Sequence, residues 1–177
     1  MSEDDVERVL VQTKKRAEEL GLKTVLVASS SGRTGAKVAE FFRGYRVVVV
    51  THSTGFTGPD AQELTADNRE RILKAGGQIL TTTHAFGGLG RSVRRKLGTF
   101  QTDEIVANAL RIFGQGTKVA VEIVLMAADS GLVSVNEDVI SIGGTGRGAD
   151  TALVLKPANV QDFFDVKVHE IICKPGL

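Results

Sequence analysis

Small polar residues and an arginine fill the turn between a short apolar strand and a helix. They are Ser29, Ser30, Ser31, Gly32, Arg33 and Thr34. The first N–H groups of a helix lack partners within it, and the helix dipole adds about half a positive charge there. Hydroxyls and a guanidinium supply further donors, and glycine lets the backbone approach a ligand. The turn therefore predicts a phosphate-binding site.

The same composition also suits a plain strand-to-helix connection, because tight turns favour glycine and serine whether or not they bind a ligand. The turn has neither the Gly-Lys-Ser/Thr of a Walker loop nor the Gly-x-Gly-x-x-Gly of a dinucleotide-binding fold. No Gly-x-Ser-x-Gly occurs in the sequence, so a nucleophile elbow with a serine triad is not expected.

A second glycine-rich loop follows a predicted central strand. It holds Gly143, Gly144, Thr145 and Gly146, with Arg147 as an exposed candidate contact. Two interpretations stay open: a hairpin connection, and a backbone nest over a ligand. Its position favours a ligand, because open α/β sheets bind ligands at the carboxyl ends of their strands.

Two histidines also follow strands, in the pairs Thr51-His52 and Thr83-His84. His84 is the candidate general acid or base, since imidazole titrates near neutrality. The alternative is that both histidines are only polar loop residues. His169 alternates within the last predicted strand and is interpreted as structural. No set of histidine, cysteine and carboxylate residues has metal-ligand spacing, so no metal is expected.

The main basic cluster comprises Arg91, Arg94, Arg95 and Lys96. Such a cluster at helical spacing is typical of a solvated face. The alternatives are a clamp on the far end of an anionic ligand and a nucleic-acid contact. A net charge of +1 and an aromatic content of 5% argue against nucleic acid as a partner.

The composition fits one globular domain over residues 1–177. One cysteine and the absence of a basic segment leading into an apolar one favour a cytoplasmic protein. The longest apolar run, 119–128, is far shorter than the ~20 residues of a membrane-spanning helix, so no membrane partner is expected.

Apolar periodicity predicts helices at 3–20, 34–42, 68–75 and 103–113, and strands at 24–28, 46–51, 78–81, 138–142, 151–155 and 166–173. Residues 84–99 are predicted to form a loop. Residues 117–130 fit a strand or a helix, and a helix is favoured because the segment is long and ends before Gly131. The order predicts a three-layer α/β/α fold with a mostly parallel sheet. Antiparallel strands are expected at the C-terminal end, the last of them at the edge.

Two blocks of sequence resemble the C-terminal α/β domain of pyruvate kinases. Ser30-Ser-Gly-Arg-Thr-Gly-Ala-Lys-Val-Ala39, followed by Arg46-Val-Val-Val-Val-Thr51, is similar to its first strand-turn-helix and second strand. Met126-Ala-Ala-Asp-Ser-Gly-Leu-Val133, followed by Asp138-Val-Ile-Ser-Ile-Gly-Gly-Thr145, is similar to a segment near its end. The chain looks most like small stand-alone archaeal-type proteins built from this domain, a family without an assigned reaction.

The resemblance implies a phosphate-binding role. In pyruvate kinases the turn matching 29–34 grips a phosphate of a sugar bisphosphate effector, and the loop matching 143–150 closes over it. Some stand-alone members are associated with flavin mononucleotide (FMN). The kinase chemistry resides in a β/α barrel for which this chain has no room, and no carboxylate pair for Mg²⁺ lies near the turn. We therefore expect no pyruvate kinase activity.

These observations favour a phosphorylated small molecule, FMN, as the ligand, with Phe56 and Phe86 placed to cover a flavin ring. The cofactor would then supply redox chemistry, and the catalytic residues stay unknown apart from the candidate His84. A non-enzymatic sugar-phosphate sensor is the alternative, and an isomerase or lyase that uses His84 is a third. The N-terminal helix and the last strand need cover, which allows a homo-oligomer.

Overall fold

The computed structural model describes residues 3–146 and 148–176, so the candidate contact Arg147 lies outside the described residues. The helices are α1 (Glu3–Leu20), α2 (Arg33–Phe41), α3 (Ala66–Lys74), α4 (Leu89–Leu97), α5 (Thr102–Arg111) and α6 (Gln115–Asp129), with a 3₁₀ helix at Val160–Asp165. The strands are β1 (Thr24–Ala28), β2 (Arg46–Val50), β3 (Gln78–Leu80), β4 (Val139–Gly144), β5 (Ala149–Lys156) and β6 (Lys167–Cys173).

The six strands form one sheet in the order β3-β2-β1-β4-β5-β6. β1 runs parallel to β2 and β4, and β2 runs parallel to β3. β5 and β6 are antiparallel to their neighbours, and β6 lies at the edge. This arrangement confirms the predicted fold class. The connection from β1 to β2 runs through α2 on one face of the sheet, whereas the connection from β3 to β4 runs through α6 on the other face. This change makes the gap between β1 and β4 a topological switch point.

Two hydrophobic clusters cover the two faces of the sheet. Val25 and Val27 of β1 belong to the cluster that includes α1 and α2, whereas Leu26 belongs to the cluster that includes α6. This alternation follows from the two-residue period of a strand. All four valines of β2 are buried, as expected for a strand covered by helices on both faces. The chain therefore forms three layers.

Capping residues define several helix ends. Thr65 caps α3, because its hydroxyl accepts a hydrogen bond from the backbone N–H of Asn68 at 3.3 Å. Gly21 and Gly131 follow α1 and α6 with φ values of 69°, which is the left-handed conformation that glycine adopts most readily. The ambiguous segment 117–130 lies almost wholly within α6, so the helical interpretation is confirmed.

The prediction of a loop over 84–99 is wrong in its second half, which forms α4. Leu89, Val93 and Leu97 recur at four-residue spacing and give the segment a short apolar stripe, although none of the residues of α4 is buried. Glycines at 87, 88 and 90 favour a loop on sequence grounds and outweigh that stripe. The helix ends at Gly98, whose φ is 72°.

Helix α6 lies directly on β4. A Cβ at Gly143 would collide with the backbone carbonyl of Gly116, and a Cβ at Gly116 would collide with Thr151. Glycine at these positions lets the helix approach the sheet at backbone distance. Among the described helices, none is long and apolar enough to cross a membrane.

Candidate functional site

A crevice of about 530 Å³ opens at the carboxyl ends of β1, β2 and β4. Most of the predicted site residues line it. They are Ser29, Ser30, Ser31, Arg33, Thr34, Thr51, His52, His84, Gly144, Thr145 and Gly146. Four segments that are far apart in the sequence therefore meet at the switch point of the sheet, where ligands of open α/β folds bind.

Four predicted site residues do not line the crevice. Gly32 lies against Leu64, and Gly143 lies beneath α6. Thr83 is exposed to solvent. Phe86 is buried in the α6 layer, where its ring packs edge-on against Phe163. Of the two phenylalanines proposed to cover a flavin ring, only Phe56 lines the crevice.

A larger cavity of about 790 Å³ lies between α1 and the segment after β6. Its lining includes Val9, Gln12, Asp150 and Lys174. It lies away from the β1–α2 turn and from His52 and His84, so the crevice at the strand ends is the stronger candidate for chemistry.

The first turn of α2 forms one wall of the crevice. The buried hydroxyl of Ser29 accepts a hydrogen bond from the backbone N–H of Gly35 at 3.0 Å, which fixes the turn against the helix. Gly32 precedes the helix with a φ of 85° and supplies no side-chain cap. The N–H of Gly35 donates to Ser29 and that of Arg33 donates to Ser31 Oγ at 3.5 Å, which leaves the N–H of Thr34 available to a ligand's anionic group.

His52 connects the turn to an acidic residue. Its Nδ1 lies 2.6 Å from Oε2 of Glu63, and its Nε2 lies 3.3 Å from Oγ of Ser30. Because a carboxylate only accepts hydrogen bonds, Nδ1–H donates to Glu63, and the Nε2 lone pair faces the Ser30 hydroxyl. The three side chains thus form a continuous hydrogen-bonded chain.

An aromatic cluster lies beside this chain. The ring of Phe56 lies 4.1 Å from that of His52 and 4.9 Å from that of His84, measured between centroids. The guanidinium of Arg91 lies over the ring of Phe56, 4.6 Å from its centre. One member of the predicted basic cluster therefore reaches the rim of the site, whereas Arg94 pairs with Glu104 at 2.6 Å.

A buried carboxylate, Glu122, lies at the floor of the crevice. It pairs with Lys118 one helical turn earlier, accepts a hydrogen bond from the Phe86 backbone N–H at 3.0 Å, and lies 3.7 Å from Nδ1 of His84. Nε2 of His84 accepts from the Ser53 N–H at 3.4 Å. The predicted general acid or base is thus held by partners on both ring nitrogens.

The surroundings of Glu122 shift its titration. Burial alone would raise the pKa of this carboxyl, but the His84 ring 3.7 Å away and the hydrogen-bonded ammonium of Lys118 outweigh burial and hold the pKa at about 2. Burial lowers the pKa of Lys118, despite its attraction to Glu122. The carboxylate therefore stays ionised at neutral pH and helps to keep the Lys118 ammonium paired.

We expect stability to fall in acid because of this carboxylate. A folded-state pKa of about 2 lies below the ordinary 4.5, so its contribution is complete above pH 4.5 and is lost as the pH falls through 2. The shift corresponds to about 3 kcal/mol. Urea unfolding of the wild type and of Glu122→Gln between about pH 6 and pH 3 measures it. Parallel pH profiles for the two proteins would contradict the assignment.

Sequence analysis missed Glu63, Glu122 and Lys118. Glu63 lies in an irregular loop, eleven positions after its partner His52, and no periodicity links the two. Glu122 could have been found from the sequence, because it is the one charged residue within the apolar run 119–128. Within 3–146 and 148–176, no three histidine, cysteine or carboxylate residues lie close enough together to hold a metal ion.

Comparison with solved structures gives distant likenesses. A pyruvate kinase from Cryptosporidium parvum is 12% identical with a TM-score of 0.43, over 86% of this chain and 23% of that chain. The same figures hold for the C. parvum enzyme in complex with ADP. An O-ureido-L-serine synthase is 24% identical with a TM-score of 0.33, over 56% of this chain and 31% of that chain. This chain spans about a quarter of the length of the kinase it matches.

A family model also matches most of the sequence. The model described as "Pyruvate kinase, alpha/beta domain" matches residues 7–155, from within α1 to the end of β5. That range contains the β1–α2 turn, the glycine-rich loop after β4 and all the strands that meet at the crevice. The chain therefore belongs to the pyruvate kinase alpha/beta domain family.

Proposed function

We propose that the protein binds a phosphate-bearing small molecule, FMN, in the crevice at the strand ends. The observation that carries the proposal is the convergence of the α2 N-terminus, Arg33 and the serine hydroxyls on one wall of that crevice. Free N–H groups, a fixed positive charge and hydroxyl donors are what a phosphate dianion requires. The phosphate would be bound by 29–34, and pyruvate kinase activity is not part of the proposal.

The remaining walls suit a planar ring. Val119, Ile123 and Met126 of α6 give the crevice an apolar side, and Phe56 adds an aromatic edge. A volume of about 530 Å³ lies within the ~300–1,000 Å³ range of small-molecule sites. Gly144 to Gly146 would close over the ligand from β4. If FMN is bound, it supplies the redox chemistry, and the protein positions its ring and excludes water.

A second candidate is a sugar-phosphate sensor without catalytic activity. It is favoured by the polar side of the crevice, where His52, Glu63 and Glu122 offer hydrogen-bonding groups that suit sugar hydroxyls. Such a protein would be colourless and would gain thermal stability from the effector.

The visible absorbance spectrum of freshly purified protein, followed by the mass of the heat-released ligand, tests the proposal. We expect flavin bands and the mass of FMN. Calorimetric titration of ligand-free protein with FMN and with riboflavin, which lacks the phosphate, isolates the phosphate's contribution. FMN should bind at least tenfold more tightly, since charge-assisted hydrogen bonds are worth roughly 1.5–3 kcal/mol each. Equal affinities would overturn the phosphate site, and a colourless protein that binds neither flavin would overturn FMN.

A further inference from the structure

A hydroxyl, an imidazole and a carboxylate are aligned in the crevice. Ser30 Oγ lies 3.3 Å from Nε2 of His52, and Nδ1 of the same ring lies 2.6 Å from Glu63. The side chains of His52 and Glu63 are both about one-third exposed, so the chain is open to small molecules from the crevice. Neither phosphate binding nor flavin binding needs this alignment, which leaves it without a role in the proposed function.

We propose that Ser30 is a nucleophile, with His52 as its general base and Glu63 as the positioning residue, and that the site transfers acyl groups from small carboxylic esters. Three geometric conditions support this. The nucleophile is within reach of a basic nitrogen, the other ring nitrogen is fixed by a carboxylate, and the hydroxyl lines an open crevice. A contact of 3.3 Å is within the range of nucleophile–base pairs before substrate binds.

The backbone around Ser30 supplies the second part of such a site. Ser30 lies between the end of β1 and the start of α2, so it occupies a turn from strand to helix. A nucleophile elbow has this local geometry and places its serine beside free backbone N–H groups. Here Thr34 lies in the first turn of α2 and borders the same crevice. Its backbone N–H is the donor placed to stabilise an oxyanion.

The reaction balances with water as the only co-reactant. Ser30 Oγ forms a bond to the ester carbonyl carbon while its proton passes to Nε2 of His52. The bond from that carbon to the alcohol oxygen breaks, and the departing oxygen takes the proton from His52. Water then adds to the acyl carbon, giving one proton to His52, and the acyl–Oγ bond breaks as Ser30 regains that proton.

Covalent labelling tests the proposal directly. Wild-type protein is treated with a fluorophosphonate probe, which reacts with activated serine hydroxyls, and the labelled peptide is identified by mass spectrometry. The expected adduct is on Ser30, and p-nitrophenyl acetate should be hydrolysed with an initial burst of p-nitrophenol. Ser30→Ala should abolish both signals. His52→Ala should slow labelling at least 100-fold, since general-base catalysis contributes about 10²–10⁴-fold.

The chain provides a matched control. His169 lies 3.3 Å from Asp138, which makes a second exposed histidine–carboxylate pair, but among the described residues no serine hydroxyl is hydrogen-bonded to it. His169→Ala should label at the wild-type rate. His52→Gln replaces His52→Ala if the alanine variant does not fold, as judged by its thermal melt. An adduct elsewhere, no adduct, or wild-type labelling of both His52 variants would overturn the proposal.

Glu63→Gln separates positioning from simple structural support. A glutamine amide can donate to Nδ1, which would move the ring proton to Nε2 and remove the base that Ser30 needs. We expect labelling to slow at least tenfold and the ¹⁵N NMR spectrum of His52 to report the changed tautomer. Slower labelling with an unchanged tautomer would overturn the positioning role.

The two proposals fail separately. If FMN occupies the N–H groups beside Ser30, saturating FMN should protect Ser30 from the probe. Labelling of Ser30 without FMN protection would support the nucleophile and contradict the FMN site. FMN binding without labelling of Ser30 would support the FMN site and contradict the nucleophile.

Discussion

Replacing Glu122 with glutamine is expected to lower the free energy of unfolding by about 3–5 kcal/mol, because it leaves the buried ammonium of Lys118 without a counter-charge. The two side chains are only 6% and 5% exposed. Glutamine keeps the shape of the side chain and can still accept from the Phe86 N–H, so the change isolates the charge. Urea denaturation, with the midpoint and slope fitted together, measures the effect.

An exposed pair of the same kind provides the control. Glu70 and Lys74 are also one helical turn apart, at 2.7 Å, but both are mostly exposed to solvent. Glu70→Gln should cost less than about 0.5 kcal/mol. The double variant Lys118→Met/Glu122→Gln should recover much of the loss, since it removes both charges. A cost below about 1 kcal/mol for Glu122→Gln would show that the charge of Lys118 is compensated in another way.

The double variant Ser31→Ala/Arg33→Ala should weaken FMN binding at least tenfold. Arg33 is exposed at the start of α2, and both Ser31 and Arg33 line the crevice at the proposed phosphate position. Each charge-assisted hydrogen bond contributes roughly 1.5–3 kcal/mol. Titration calorimetry of ligand-free protein measures the loss, and binding of riboflavin should hardly change.

Arg43→Ala provides the comparison, because this exposed arginine follows the opposite end of the same helix. It removes the same charge from the protein but lies far along α2 from the phosphate position. We expect wild-type affinity for FMN. A similar loss in both variants would point to a general charge effect, and no loss in the double variant would place the phosphate elsewhere.

The sheet was predictable because its strands have strong local signals. The valines of β2 form an unbroken buried run, and Gly21 and Gly131 end helices whose apolar residues repeat with helical periodicity. Helix α4 was missed although Leu89, Val93 and Leu97 recur at four-residue spacing, because the glycines at 87, 88 and 90 favoured a loop. A short apolar stripe beside several glycines is a weak helix signal.

The crevice was predictable in outline, and its chemistry was not. Residues after β1, β2 and β4 had to converge because parallel strands end at the same edge of a sheet. The pairing of His52 with Glu63 depends instead on the path of the loop 51–65, which follows no repeating pattern. The absence of Gly-x-Ser-x-Gly also argued against a serine nucleophile, although the β1–α2 turn places Ser30 in a comparable position.

The pairing of β1 with β4 has a consequence for how the protein folds. Val25 lies opposite Ile140, although most of the chain separates them. During synthesis β1 can pair with β2 early, but its other edge stays open until β4 has left the ribosome. That edge is apolar and available to other chains in the meantime. Long-range parallel pairing also slows folding, so production of this protein should depend on growth temperature and on chaperones that shield β1.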